Sequence, residues 1–255
     1  KADELPPVTA IALYDEFREL TPAGDKGDEM IRKLADRLAA VDLLREAAEL
    51  LENQVQFRLS GKQKAQVGTR LAVVYLAAGK PKRAIRALEK SKQPNMEPEH
   101  VVTRRHLEAR ALIDMGQADK ALVMLDDAED ETVAADLLRS EVYWNAGDWR
   151  NASGVLRRLA AAKGARSNKP LNEEQARLIL NLAVVYTLGG NERGIGMVRS
   201  EYGNAMEETS LRDAFRLIAT RENAGMLDPR TITQLIKPAE NFTTFMTEYQ
   251  NRLKA

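Results

Sequence analysis

The chain has no cysteine and only two histidines in 255 residues. That excludes disulfides, thiolate metal ligands and cysteine nucleophiles, and it leaves too few imidazoles for ordinary zinc chemistry. His100 and His106 stand six residues apart, so on one helix they point to different faces. Aromatic residues make up only 5% of the chain, and short alternating strand-like runs are hard to find. No run of 18 apolar residues exists, which excludes a membrane-spanning helix. Nor is there an excess of charge of either sign. With 38 basic and 38 acidic residues the formal charge is zero, which argues against bulk association with nucleic acid.

Familiar nucleotide and ion motifs are missing as well. Gly79-Lys80 is followed by Pro81, and no glycine lies at the spacing of a phosphate-binding loop. The run Gly24-Asp25-Lys26-Gly27-Asp28-Glu29 carries carboxylates, but not at calcium-loop spacing; acids in the first turn of a helix explain it better. No nucleophile, base and orienting group can be assembled from these residues, so the expectation is a chain that is not an enzyme and holds no cofactor or metal.

What remains is helix. The chain is 44% hydrophobic and 30% charged, rich in Ala, Leu, Arg, Glu and Lys, and long enough to bury a substantial core. One frame recurs along it: Leu71-Ala72, Tyr75, Gly79, Ala84, Leu88; then Glu108-Ala109, Leu112, Gly116, Ala121, Leu125; then Arg139-Ser140, Tyr143, Gly147, Ala152, Leu156; then Leu182-Ala183, Tyr186, Gly190. The glycines recur after 37, 31 and 43 residues. Small residues at 72, 109, 140 and 183 let one helix approach its neighbour, and Ala84, Ala121 and Ala152 do the same for the next helix. Each glycine supplies the positive φ that a tight helix–helix turn needs. Upstream, Leu34-Ala35, Leu38, Asp42, Ala47 and Leu51 fit the frame with Asp42 in the glycine position. Downstream of Gly190 the frame falters, with Ile195 where alanine is expected and Gly194 and Gly196 beside it. Two glycines in a helix cost about 1 kcal/mol each, so a short or irregular helix is expected there.

This pattern resembles the tetratricopeptide repeat (TPR) family, most closely at Ala146-Gly147-Asp148-Trp149-Arg150-Asn151-Ala152. The resemblance implies an all-α fold, a right-handed α-solenoid of antiparallel hairpins in a single domain over 1–255. About five repeats would fill 30–202, the first and last degenerate, between an N-terminal capping helix within 1–29 and capping helices within 203–255. Ile11, Tyr14 and Phe17 form the apolar stripe of the first cap; Asp228-Pro229, Phe242, Phe245 and Tyr249 mark the last. Lys163 to Pro170 reads as a polar loop between repeats. The segment from Gly27 to Leu44, with Ala65-Gln66-Val67, Arg70, Leu71 and Ala72, also resembles the C-terminal region of large exported alphaproteobacterial TPR proteins. That implies a periplasmic setting, with a cytoplasmic one as the alternative, and it fits a chain beginning at Lys1 as the C-terminal part of a longer polypeptide or a mature exported protein.

The resemblance also implies a binding groove lined by the first helix of each hairpin. It maps to Gln66, Thr69, Val73 and Leu76; His106, Arg110 and Asp114; Glu141, Trp144 and Asn145; and Arg177 and Val184. Thr69 and Val73 occupy two places where some family members carry the lysine and asparagine that clamp a carboxylate, so a chaperone-tail receptor is not expected. Trp144 is either an interface anchor or an ordinary packing tryptophan. Separately, Lys80, Lys82, Arg83, Arg86, Lys90 and Lys92 crowd into one short stretch against a single acid, Glu89, while the equivalent helix end of the next repeat carries Asp126, Asp127, Glu129, Asp130 and Glu131. Either the two solvated faces attract each other, or the basic edge, above all Lys80, Lys82, Arg83 and Arg86, takes an anionic partner. The expected function is a non-catalytic interaction scaffold for a protein or peptide, without nucleic-acid binding or membrane insertion, in an assembly such as a flagellar motor or secretion system. The alternative is a regulatory segment of an enzyme whose catalytic domain lies outside this chain.

Overall fold

A computed structural model describes residues 5–219. Among these residues there is no strand. The elements are α1 (Pro7–Glu16), a 3-10 turn at Arg18–Leu20, α2 (Asp25–Ala40), α3 (Leu44–Phe57), α4 (Gly61–Ala77), α5 (Pro81–Lys90), α6 (Pro98–Asp114), α7 (Ala118–Asp127), α8 (Val133–Ala146), α9 (Trp149–Ala162), α10 (Glu173–Leu188), α11 (Glu192–Glu207) and α12 (Arg212–Ala219). They group into two compact units, Lys1–Ala128 and Glu129–Ala255. The terminal expectations at Asp228-Pro229, Phe242, Phe245 and Tyr249 lie outside the described residues.

Five hairpins, α2–α3, α4–α5, α6–α7, α8–α9 and α10–α11, turn in the same way. At the α4–α5 turn Gly79 adopts φ 64°, its N–H donates to the Leu76 carbonyl, and the following Lys80 N–H donates to the Tyr75 carbonyl at 2.8 Å. These two bonds close a Schellman motif, which satisfies helix-end carbonyls that would otherwise lack partners. The long bond repeats as Leu43 to Leu38, Gln117 to Leu112, Asp148 to Tyr143 and Asn191 to Tyr186. Asp42 holds φ 65° in the first of them, a conformation that aspartate tolerates better than most residues with a Cβ.

Small residues sit where close approach requires them. Ala72, Ala109 and Ala183 are fully buried and Ser140 nearly so, while Ala84, Ala121 and Ala152 are fully buried on the second helices. Within the first unit each helix packs on its neighbours in the chain, and α4 also packs on α6. Leu38, Leu51, Leu71 and Leu107 form its most deeply buried positions. In the second unit α8 packs on α9, α9 on α10, and α10 on both α11 and α12. Ile179, Leu159, Met206 and Ile218 lie at the centre of that core.

Two expectations need correction. The last hairpin's second helix is neither short nor irregular: α11 runs the full Glu192–Glu207. A Cβ on Gly194 would lie 2.6 Å from the Tyr186 ring, so this glycine lets α11 seat against α10. The Asn191 side chain caps the helix by accepting from the Gly194 N–H at 2.9 Å. At the N-terminus, the stripe expected to bury itself does so only in part. Ile11 and Tyr14 are half-buried and Phe17 is exposed; α1 packs on α2 and ends at Glu16.

Buried polar groups tie the helices together. Arg104 on α6 is buried; its Nη1 donates to the Ala65 carbonyl at 3.0 Å and to Thr69 Oγ1 at 2.8 Å on α4, and its Nη2 donates to the Leu88 carbonyl in the last turn of α5. A cation there meets the negative end of the α5 dipole, so one guanidinium satisfies and fastens three helices. Gly68 makes room for the arrangement, since a Cβ would fall 2.2 Å from that of Ser91. In the second unit buried Asp136 accepts from Arg158 Nε at 2.9 Å and Nη2 at 2.7 Å, and from Arg139 at 3.3 Å.

Candidate functional site

The sequence-derived groove residues divide into buried and exposed sets. Thr69, Val73, Leu76, His106, Arg110 and Val184 are buried, so they present little open surface. The groove implied by the resemblance therefore gains little exposed surface at these six positions. Thr69 Oγ1 donates to the Ala65 carbonyl at 2.8 Å and accepts from Arg104, while His100 Nε2 lies 3.1 Å away. Burial, and the nearby Arg104 cation, push His100 below its ordinary pKa, against opposing backbone hydrogen bonding at Ala65. Arg110 Nε donates to Asp114 Oδ1 at 2.9 Å.

Gln66, Asp114, Asn145 and Arg177 are exposed, and Glu141 and Trp144 are half-buried. Trp144 meets Trp149 edge to face, with centroids 5.9 Å apart at 87°, and both tryptophans pack against the core of the second unit. Trp149 in turn lies against Gly189, where a Cβ would stand 3.0 Å from its own. Trp144 is therefore part of the packing of its unit, with one side left open.

The basic edge lies on α5 and is exposed at Lys80, Lys82, Arg83 and Arg86. None of these four, nor Lys90 or Lys92, makes an ion pair among the described residues. The expected attraction toward the acidic helix end of the following repeat thus forms no contact ion pair. Instead, two of the four basic residues border a cavity that sequence reasoning did not find. It has a volume of about 410 Å³ and is enclosed by α3, α4 and α5. Arg83, Arg86 and Lys90 reach it from α5 and Lys64 from α4, while Val55, Leu71 and Ala87 supply apolar wall. Lys80 and Lys82 do not line it.

Tyr75 and Glu52 complete this cavity. The Tyr75 hydroxyl donates to Glu52 Oε2 at 2.9 Å, and the Arg83 guanidinium lies 5.8 Å from the ring centroid, a cation–π arrangement. Burial and the neighbouring Glu52 carboxylate push the Tyr75 hydroxyl up to about 12. At neutral pH it stays protonated and can donate. Four cations thus face one carboxylate that already has a partner.

A second cavity, of about 690 Å³, lies between α1 and α2 and is bordered by Leu13, Phe17, Leu20 and Met30. Among the described residues no three His, Asp or Glu side chains gather as a metal site, and no helix is long and apolar enough to cross a membrane. No protein-family model matches this chain, and no curated protein matches it.

Proposed function

We propose that this chain is a non-catalytic protein–protein interaction module, a TPR-like right-handed solenoid whose exposed helix surfaces bind a protein or peptide partner. The observation that carries the proposal is the repetition of one hairpin, closed five times by the same pair of backbone bonds and seated on small residues at equivalent positions. Stacked hairpins of this kind present extended surfaces whose side chains vary while the scaffold does not. The polar and charged residues at Gln66, Asp114, Asn145 and Arg177, and the basic border of the α3–α4–α5 cavity, are the surfaces available for recognition.

The lack of cysteine and the resemblance of the Gly27–Leu44 segment to exported proteins support a periplasmic setting. A role in a larger envelope assembly, such as a motor or secretion complex, follows from that resemblance. The test is affinity capture with the intact chain followed by titration of the captured protein. A stoichiometric partner that dissociates chemically unchanged supports the proposal. Turnover of the partner, or no saturable binding to any captured protein, overturns it.

A further inference from the structure

We infer that the α3–α4–α5 cavity is the recognition site for an acidic peptide segment, one in which an apolar side chain is flanked by carboxylates. This deepens the interaction-module proposal and rests on it. Three features lead to that ligand. The first is charge: Lys64, Arg83, Arg86 and Lys90 converge on one cavity, and the Lys64, Arg86 and Lys90 side chains make no hydrogen bond or ion pair with any described residue. Glu52 is the one carboxylate among the cavity's lining residues and is engaged by Tyr75. Four cations held around one recess against a single carboxylate raise the local potential and favour an anion.

The second feature is the wall. Val55, Leu71 and Ala87 are buried residues that the cavity reaches, and the Tyr75 ring lies beside them. A bare phosphate or sugar-phosphate chain has nothing apolar to place there, whereas a leucine or similar side chain does. The volume of about 410 Å³ falls within the range of ordinary ligand pockets. The third is the donor type. Two arginines can each bind a carboxylate in two-pronged fashion, and the Arg83 guanidinium lies within cation–π range of the Tyr75 ring. The site lies where the second helices of two successive hairpins, α3 and α5, face each other across α4. It is therefore distinct from the first-helix groove that the family resemblance implies.

The experiment is fluorescence-anisotropy titration of the full chain with a labelled twelve-residue peptide of Asp and Glu around a central Leu. Its comparators are the Asn/Gln version of that peptide, the version with Asn for Leu, and a single-stranded oligonucleotide of equal charge. Both altered peptides should bind at least about tenfold more weakly, and binding should weaken as salt rises. Arg86→Glu with Lys90→Glu should reduce affinity at least about tenfold, while Lys120→Glu with Arg193→Glu, an equal charge change at exposed residues that do not line the cavity, should change it less than about threefold. Glu52→Gln should tighten binding, a gain that misfolding cannot produce; circular dichroism checks the fold of every variant. Equal binding of the Asn/Gln peptide, preference for the oligonucleotide, or normal binding by the cavity variant overturns the assignment. If a captured partner binds the cavity variant unchanged, the cavity falls while the interaction-module proposal stands.

Discussion

Gly194 and Gly196 lie two residues apart on α11 and should respond to alanine in opposite directions. Each replacement gains about 1 kcal/mol from helix propensity. At Gly196 nothing stands within 4 Å of an added Cβ, so that gain is realised and the second unit's unfolding temperature should rise by about 2–4 °C. At Gly194 the new methyl would lie 2.6 Å from both Cγ and Cδ1 of Tyr186. Cγ is fixed close to the α10 backbone and cannot swing away as a side-chain tip would. Overpacking of this kind costs roughly 1–3 kcal/mol, which exceeds the propensity gain across most of that range. Gly194→Ala should therefore be destabilising by up to about 2 kcal/mol. In a Tyr186→Ala background, which has no Cγ, the clash disappears, and Gly194→Ala should become neutral or stabilising, a coupling that a double-mutant cycle reads directly. The assay is differential scanning calorimetry with circular dichroism at two wavelengths. A rise in unfolding temperature for Gly194→Ala equal to that for Gly196→Ala would refute the packing argument.

Three further outcomes follow from the same contacts. Gly68→Ala forces a Cβ to within 2.2 Å of that of Ser91 and, net of the helix-propensity gain, should destabilise the first unit by up to about 2 kcal/mol in chemical denaturation, with partial rescue by Ser91→Gly. Asp136→Ala removes the carboxylate that holds buried Arg139 and should cost about 3 kcal/mol by the same measurement, at the low end for a buried pair because the Arg158 partner is largely exposed. His100 has a folded pKa below its unfolded value, so the unfolded chain binds more protons as pH falls through about 6.5. Stability should therefore fall on acidification below that point, and a pH series of wild type minus His100→Asn should isolate the term from Glu97, Lys62 and Arg104, which also face the ring. No difference between the two pH profiles would contradict the half-buried, neutral imidazole.

The hairpins were legible because their signals are local. Positive φ after a helix leaves glycine as the common choice, and Gly79, Gly116, Gly147 and Gly190 all adopt it, as Asp42 does in their place. Alanine at a close approach is similarly local, and Ala84, Ala121 and Ala152 are all buried. Exposure is not local. Val73, Leu76 and Val184 fall on the groove frame by register, yet they are buried, as their own apolarity suggests. Thr69 gives no such warning, because it is covered by the Arg104 guanidinium that α6 brings against α4. The Gly-Ile-Gly segment of α11 misled because propensity was counted without the Tyr186 ring that makes Gly194 useful. For the cavity, the cationic run on α5 was visible, but its convergence with Lys64 and the Tyr75–Glu52 pair across two other helices was not.

The most direct measurement of the central claim is site-specific photo-cross-linking in the native cell. A photoreactive p-benzoylphenylalanine would be placed singly at Gln66, Arg86, Asn145 and Arg177, all exposed, with exposed Val123 as the reference position. An interaction module predicts one discrete protein adduct, strong at one or more of these four positions, weak at Val123, and carrying a partner otherwise unaltered in mass. Equal labelling of many unrelated proteins at every position, or a partner chemically processed by this chain, would contradict it.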